Sequence, residues 1–76
     1  MEATLEDIAS NPTDYKICKK CGHFAWYEND TCPNCMAHEF DNDSKKVEKK
    51  AIALIDSYIE EDGYTEDEAL GIIIDI

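Results

Sequence analysis

The 76-residue chain contains no arginine, and basic residues are scarce altogether, since seven lysines stand against eighteen acidic residues. Its formal net charge at pH 7 is −11, and its sequence pI is about 4.3. Domains that bind duplex nucleic acid usually carry the opposite charge, because phosphate contacts need Lys and Arg. Arginine is also the usual bidentate reader of guanine. We therefore do not expect nucleic acid to be the main ligand.

Long apolar runs are missing as well, and none approaches the roughly 20 residues that a membrane-spanning helix needs. The first four residues include no basic residue and no apolar block follows them, so we expect no secretory signal. A cytoplasmic protein is then expected, in a reducing environment where paired cysteines favour metal binding over disulfides. Neither a serine–histidine arrangement nor a phosphate-cradling glycine loop is present, and the sequence predicts no enzyme.

The length limits what the chain can build. Seventy-six residues make one domain and leave no room for a separate substrate domain or a large buried active site. With 43 % hydrophobic and 33 % charged residues, the composition is that of a globular protein. An apolar core of this size rarely supplies more than about 3–5 kcal/mol, so an additional cross-link is expected. The four cysteines are the candidates for it.

Two helical segments are predicted around the cysteines. Thr4 and Asp7 have capping-box spacing ahead of a short apolar face, which Pro12 ends. A polar hinge at 41–44, with Ser44 as the N-cap, precedes a long helix. That helix has apolar residues at spacings of three and four, namely Val47, Ala51, Leu54, Ile55, Tyr58 and Ile59.

The last third of the chain predicts a second helix after the long one. Gly63 is placed to end the long helix, and Thr65 with Glu68 forms another capping box. We expect a helix from Glu66 to about Asp75. The β-branched isoleucines at its end leave a short strand as the competing interpretation.

The central segment carries the chemistry. From Cys18 it reads CKKCGHFAWYENDTCPNC, which is two Cys-x-x-Cys pairs separated by ten residues. Each pair aims two sulfurs at one ion, and two such loops joined by a hairpin give a closed tetrahedral site. Tetrahedral thiolate sites select zinc or iron, and four thiolates leave no open position for substrate. The sequence therefore predicts one structural metal ion, bound by Cys18, Cys21, Cys32 and Cys35.

Short strands are expected around these pairs. Residues 15–17 and 36–40 alternate in polarity, and residues 24–27 are aromatic-rich. The aromatic side chains are expected to cover the sheet and anchor the helices rather than stack on bases. His23 and His38 lie beside the cysteine pairs, but we expect them outside the ligand set because four cysteines already complete it.

The cysteine segment resembles the zinc-ribbon family over residues 15–40, about a third of the chain. Cys18-Lys19-Lys20-Cys21-Gly22 is similar to the first knuckle of a ribbon, and Cys32-Pro33-Asn34-Cys35 to its proline-containing second knuckle. The resemblance implies a three-stranded ribbon that holds one zinc ion on the four cysteines. Met36 departs from it, because the family often has glycine there. A positive φ is unfavourable for methionine, so we expect a somewhat different second knuckle.

Rubredoxins share both knuckles, but their cysteine pairs lie farther apart along the chain. A rubredoxin-like electron carrier is therefore the lesser alternative.

These observations predict a small α+β metal-stapled domain. It comprises a short N-terminal helix and linker (1–14), a three-stranded zinc ribbon (15–40) and an acidic α-helical hairpin (41–76). The charge is uneven along the chain, with −3 over residues 1–17, −1 over 18–40 and −7 over 41–76. The favoured function is a non-enzymatic interaction module, an acidic adaptor or regulator that docks on a basic protein partner. The alternative from another class is a nucleic-acid-binding ribbon that uses Lys19, Lys20 and the lysines of the long helix.

The long helix has an unusual order of charges. Lysines crowd its start and acidic residues crowd its end, and both positions oppose the helix macrodipole. The lysines are Lys45, Lys46, Lys49 and Lys50, and the acids are Glu60, Glu61 and Asp62. A second copy packed antiparallel would set the two groups against each other. A homodimer through the C-terminal hairpin is therefore a further interpretation, beside an external partner.

Overall fold

The computed structural model describes all 76 residues as a small α+β fold with two antiparallel sheets. The elements in chain order are β1 (Glu2–Thr4), α1 (Leu5–Ser10), a 3₁₀ turn (Pro12–Asp14), β2 (Tyr15–Cys18), β3 (Phe24–Trp26), β4 (Phe40–Asp41), α2 (Ser44–Glu61), α3 (Glu66–Leu70) and β5 (Ile73–Asp75). None of the helices combines the length and the apolar character that crossing a bilayer requires.

The larger sheet has the strand order β3-β2-β4 and positions the cysteines. Tyr15 lies opposite Trp26, and Ile17 lies opposite Phe24 on one side and Asp41 on the other. The smaller sheet pairs β1 with β5, with Ala3 opposite Ile74. It therefore joins the first and last segments of the chain, a contact of very long sequence separation.

The helix boundaries follow local side-chain chemistry. Thr4 and Asp7 form the predicted capping box of α1, and Thr65 and Glu68 form that of α3. Helix α2 differs from the prediction, because its N-cap is Asp43 rather than Ser44. The Asp43 carboxylate accepts a hydrogen bond of 3.0 Å from the backbone N–H of Lys45.

The predicted extent of the second helix was wrong. Helix α3 ends at Leu70, and Ile73–Asp75 form strand β5, the competing interpretation. The predicted two-helix hairpin over 41–76 is thus a long helix, a short helix and a strand. The cause is pairing with β1, a strand that was not predicted because its partner lies about seventy residues away in sequence. β-Branched side chains favour the extended conformation once that partner is available.

The third strand of the larger sheet is also shorter than predicted. It begins at Phe40 instead of running over 36–40. The backbone before it serves the second cysteine loop, in which Met36 N–H donates to the carbonyl of Cys32 at 3.0 Å. Residues committed to that loop are unavailable for a strand.

The core lies between α1, α2 and the two sheets. Helix α2 contacts α1, α3, the 3₁₀ turn and β2, so it is the central element. Val47 and Ala51 of α2 are completely buried, as are Leu5 and Ile8 beside them. The full set of buried hydrophobic residues in this cluster is Ala3, Leu5, Ile8, Tyr15, Phe24, Val47, Ala51, Ile55, Ala69 and Ile76.

Polar contacts tie strand β5 to the region of the cysteines. Nε2 of His23 lies 2.6 Å from the carbonyl oxygen of Asp75. The side-chain amide of Asn29 donates a hydrogen bond of 2.6 Å to the backbone oxygen of Ile76. The C-terminal strand is therefore fixed to β1 on one side and to the loops of the larger sheet on the other.

Replacing Leu5 by alanine should destabilise the whole fold, because Leu5 is completely buried where β1 meets α1. Truncating a buried leucine typically lowers the free energy of unfolding by about 2–5 kcal/mol. Denaturant unfolding of Leu5→Ala measures the loss, with Glu6→Ala as the control because Glu6 is exposed in the same turn. Equal stability of the two variants would contradict the packing described above.

Candidate metal centre

The four cysteine sulfurs converge at the end of the larger sheet. One Sγ atom from each of Cys18, Cys21, Cys32 and Cys35 lies within 4.8 Å of all the others. The Sγ–Sγ distances are 3.5 Å for Cys18–Cys35 and 3.5 Å for Cys21–Cys32. A tetrahedral ion with metal–sulfur bonds of about 2.3 Å places its sulfurs about 3.8 Å apart. The cluster therefore has the size and the donor set of a four-thiolate metal site.

The two cysteine loops have the same backbone hydrogen bonds. In each loop the first cysteine donates its N–H to the carbonyl five residues later, and its own carbonyl accepts from the N–H four residues later. The distances are Cys18 N to His23 O 2.9 Å, Gly22 N to Cys18 O 2.9 Å, Cys32 N to Ala37 O 2.8 Å and Met36 N to Cys32 O 3.0 Å. Each Cys-x-x-Cys segment is thus a tight turn that two backbone hydrogen bonds close, and the turn fixes two sulfur positions.

Backbone N–H groups also point at the sulfurs. Cys21 N donates to Sγ of Cys18 at 3.4 Å, and Asn34 N donates to Sγ of Cys32 at 3.4 Å. Hydrogen bonds to the charged form favour thiolates. Cys18 and Cys32 are buried, Cys35 is half-buried and Cys21 is exposed, so solvent reaches the cluster at Cys21.

The pKa values of three of the thiols are shifted, and not all in the same direction. The Asn34 side chain and then the His23 N–H lower the pKa of Cys21 to about 6, and the Cys21 N–H lowers the pKa of Cys18. At Cys35 the Ala37 N–H lowers the pKa, but burial and hydrogen bonds with the other three thiols outweigh it and raise the pKa to about 12. Four thiolates this close repel one another, and a divalent cation is the natural replacement for their protons.

The second loop adopts the left-handed conformation at Met36, contrary to our expectation that it would differ there. Its φ is 66°, close to the 77° of Gly22 in the first loop. The hydrogen bonds of the loop impose this conformation although a side chain is unfavourable in it. Met36 is 71 % exposed, so little burial offsets the strain.

Neither histidine belongs to the sulfur cluster. His23 contacts strand β5 as described, and Nδ1 of His38 lies 3.0 Å from the Asp30 carbonyl oxygen and 3.4 Å from Oγ1 of Thr31.

The aromatic side chains divide between two environments. Phe24 is buried and Trp26 is half-buried with its ring edge-on to Tyr15 at 5.6 Å, whereas Tyr27 is 50 % exposed.

Two lysines near the cysteine loops make contacts that the sequence did not indicate. Nζ of Lys50 in α2 donates to the carbonyl of Gly22, so the long helix holds the first cysteine loop. Lys16 is only 8 % exposed, donates to the carbonyl of Asn29 and lies 4.0 Å from the centre of the Phe40 ring. In sequence, Lys16 was only the polar residue of an alternating strand.

No protein-family model, curated protein or solved structure matches the chain. The case for a metal centre therefore depends on the geometry of the four cysteines. That geometry fits a metal ion with four sulfur ligands, and it places no other metal-binding side chain in the cluster.

Folding of residues 15–40 should depend on the metal. Structural zinc supplies about 10–16 kcal/mol of apparent free energy in finger peptides, as much as the usual stability of a whole domain, about 5–15 kcal/mol. Chelation, or replacement of the buried Cys32 by serine, should therefore collapse the amide dispersion of this region in an NMR spectrum.

The control for Cys32→Ser is Lys20→Ser, because Lys20 is exposed between two cysteines and the change keeps all four thiols. It should leave the spectrum and a metal content of one ion per chain unchanged. Native dispersion of residues 15–40 in metal-free protein would overturn the prediction.

Met36→Gly should stabilise the metal-loaded protein by about 1 kcal/mol, because glycine tolerates the left-handed φ that costs other residues about 1–2 kcal/mol. Gly22→Ala should act in the opposite direction. The alanine would have to adopt the φ of +77° that Gly22 has, and its Cβ would lie 2.8 Å from Nζ of Lys50. Thermal unfolding of both variants at a fixed zinc concentration tests this pair, and a loss of stability in Met36→Gly would be evidence against strain in the second loop.

Proposed function

We propose that the protein is a non-enzymatic, zinc-binding interaction module whose three-stranded sheet and cysteine loops form a zinc ribbon. The observation that carries this proposal is the closed cluster of four sulfurs within 4.8 Å of one another. An ion bound there would have four protein ligands and no position for water or substrate, which is the arrangement of a structural site. Cys18, Cys21, Cys32 and Cys35 would hold the ion, and its contribution is to the fold.

Zinc is the ion that we favour over iron. Both accept four thiolates in a tetrahedral site. An iron centre would supply one-electron chemistry, and no other feature of the chain is explained by electron transfer. A colourless protein with one zinc per chain supports the proposal, and a coloured iron protein would replace it by the rubredoxin-like alternative.

The proposed partner is a protein with a basic surface, and the charge of the chain supports it. Residues 51–76 contain eight acidic residues and no lysine. The exposed acids of this region include Glu60, Asp62, Glu66 and Asp67. A field of one sign steers association with a surface of the opposite sign. We propose an acidic adaptor or regulator of the cytoplasm on this basis.

Binding of the zinc-loaded protein to short RNA and duplex DNA tests the alternative function. The four thiol protons lost and the two charges of the ion gained change the formal net charge from −11 to −13. We expect no submicromolar affinity at low or moderate salt. Tight binding with a steep salt dependence would show that the nucleic-acid interpretation is right.

Neutralising the exposed acids tests the protein partner. The variant Asp62→Asn, Glu66→Gln, Asp67→Asn removes three charges and spares the capping residues Thr65 and Glu68. Affinity purification with the zinc-loaded wild type and with this variant should recover a basic protein that the variant binds at least about tenfold more weakly, as loss of steering and contact charges predicts. Identical recovery by both would contradict docking through the acidic region.

A further inference from the structure

The outer face of α2 is turned away from α1 and from the larger sheet. Its exposed residues recur at helical spacing, and they are Lys45, Glu48, Lys49, Ile52, Asp56 and Glu60. Ile52 is 45 % exposed and lies in the middle of this face. Together with Lys45, Glu48 and Lys49 it lines a shallow cavity of about 260 Å³.

The net charge of the outer face changes sign at Ile52. Lys45, Lys49 and Glu48 give a net charge of +1 on its N-terminal side, whereas Asp56 and Glu60 give −2 on its C-terminal side. This order is opposite to the one that a helix macrodipole favours, and α2 has no acidic residue in its first turn and no basic residue in its last. This order of charges therefore does not stabilise α2 as an isolated helix.

Contacts within the chain compensate the lysines only on the other side of α2. Nζ of Lys46 forms an ion pair with Asp41 at 3.0 Å, and Lys50 donates to the carbonyl of Gly22. The side chains of Lys45 and Lys49 make no ion pair or hydrogen bond, and neither do those of Asp56 and Glu60. The outer face thus carries two separated groups of unpaired charge with an exposed aliphatic side chain between them.

We propose that the outer face of α2 is a self-association surface, on which a second copy of the chain packs antiparallel about Ile52. Lys49 and Lys45 lie three and seven residues before Ile52, and Asp56 and Glu60 lie four and eight residues after it. A two-fold axis beside Ile52 therefore brings Lys45 and Lys49 of each copy opposite Asp56 and Glu60 of the other, with Glu48 as the one acid among the lysines, and Ile52 meets its counterpart. This is the self-complementary surface that an isologous dimer requires.

Charge complementarity favours a second copy as the partner and the antiparallel orientation of the two helices. Parallel packing would place lysine against lysine and acid against acid. Antiparallel packing also keeps the most acidic regions apart, because α2 is 18 residues, or about 27 Å, long and α3 follows its far end. The cysteine cluster stays outside the interface, since it lies on the side of α2 that carries Lys50.

A charge swap tests the proposal in the zinc-loaded full chain. One variant is Lys45→Glu with Lys49→Glu, and the other is Asp56→Lys with Glu60→Lys. Each alone should self-associate at least about tenfold more weakly than the wild type in sedimentation equilibrium, whereas the equimolar mixture should recover dimers. A monomeric wild type at all concentrations, or a mixture that stays monomeric, overturns the proposal.

Variants at the centre of the face provide the second readout. Ile52→Asp should weaken self-association about tenfold or more, as loss of a central apolar contact does. Ala53→Asp adds the same charge at an exposed position on the neighbouring side of α2 and should have a smaller effect. If a charge-swap variant does not fold, isotope-filtered NMR of the wild type decides. Contacts between Ile52 of one copy and the outer face of the other support the proposal, and contacts confined to other surfaces refute it.

Discussion

The structure depends on burial of one side of α2, because this helix alone contacts α1, α3 and the strand that leads into the cysteines. Val47, Ala51 and Ile55 lie on that side. The main buried cluster has only ten residues and includes Tyr15 and Phe24, so one core holds the helices and the larger sheet together. Lys50 extends the same helix to the first cysteine loop. A metal ion at the four sulfurs would cross-link the two cysteine loops, which the apolar core reaches through Tyr15 and Phe24 of the larger sheet as well as through α2.

The cysteine loops are built so that backbone rather than side-chain packing defines the site. Each loop closes on itself with two backbone hydrogen bonds, and further N–H groups point at the sulfurs. In the folded protein these bonds fix the direction of both sulfurs of each cysteine pair. The left-handed φ of Met36 is the cost of this construction, since the loop keeps its shape although the residue is not glycine.

The parts of the fold that the sequence predicted are those set by short-range chemistry. The capping boxes at Thr4 and Thr65 follow from spacings of three residues, and the convergence of the four cysteines follows from two Cys-x-x-Cys pairs separated by ten residues. The parts it did not predict depend on distant partners. The three residues of β1 are too few to show a strand pattern. The sequence of β5 resembles the end of a helix, and only its pairing with β1 makes it a strand. The role of Lys16 has the same origin, because Phe40 and Asn29 reach it only through the folded sheet.

The lysines give the strongest physical argument on function. In a chain with eighteen acids, three of the seven lysines are used inside the structure: Lys16 on Phe40, Lys46 on Asp41 and Lys50 on Gly22. The remaining four lie in two pairs, one in the first cysteine loop and one on α2, and acidic residues line the cavities beside both pairs. This distribution supports the proposal that nucleic acid is not the main ligand, because binding along a phosphate backbone needs a continuous basic surface. Three of the seven lysines thus fasten the protein's own sheet and helix, and the four that remain exposed are far outnumbered by acidic residues.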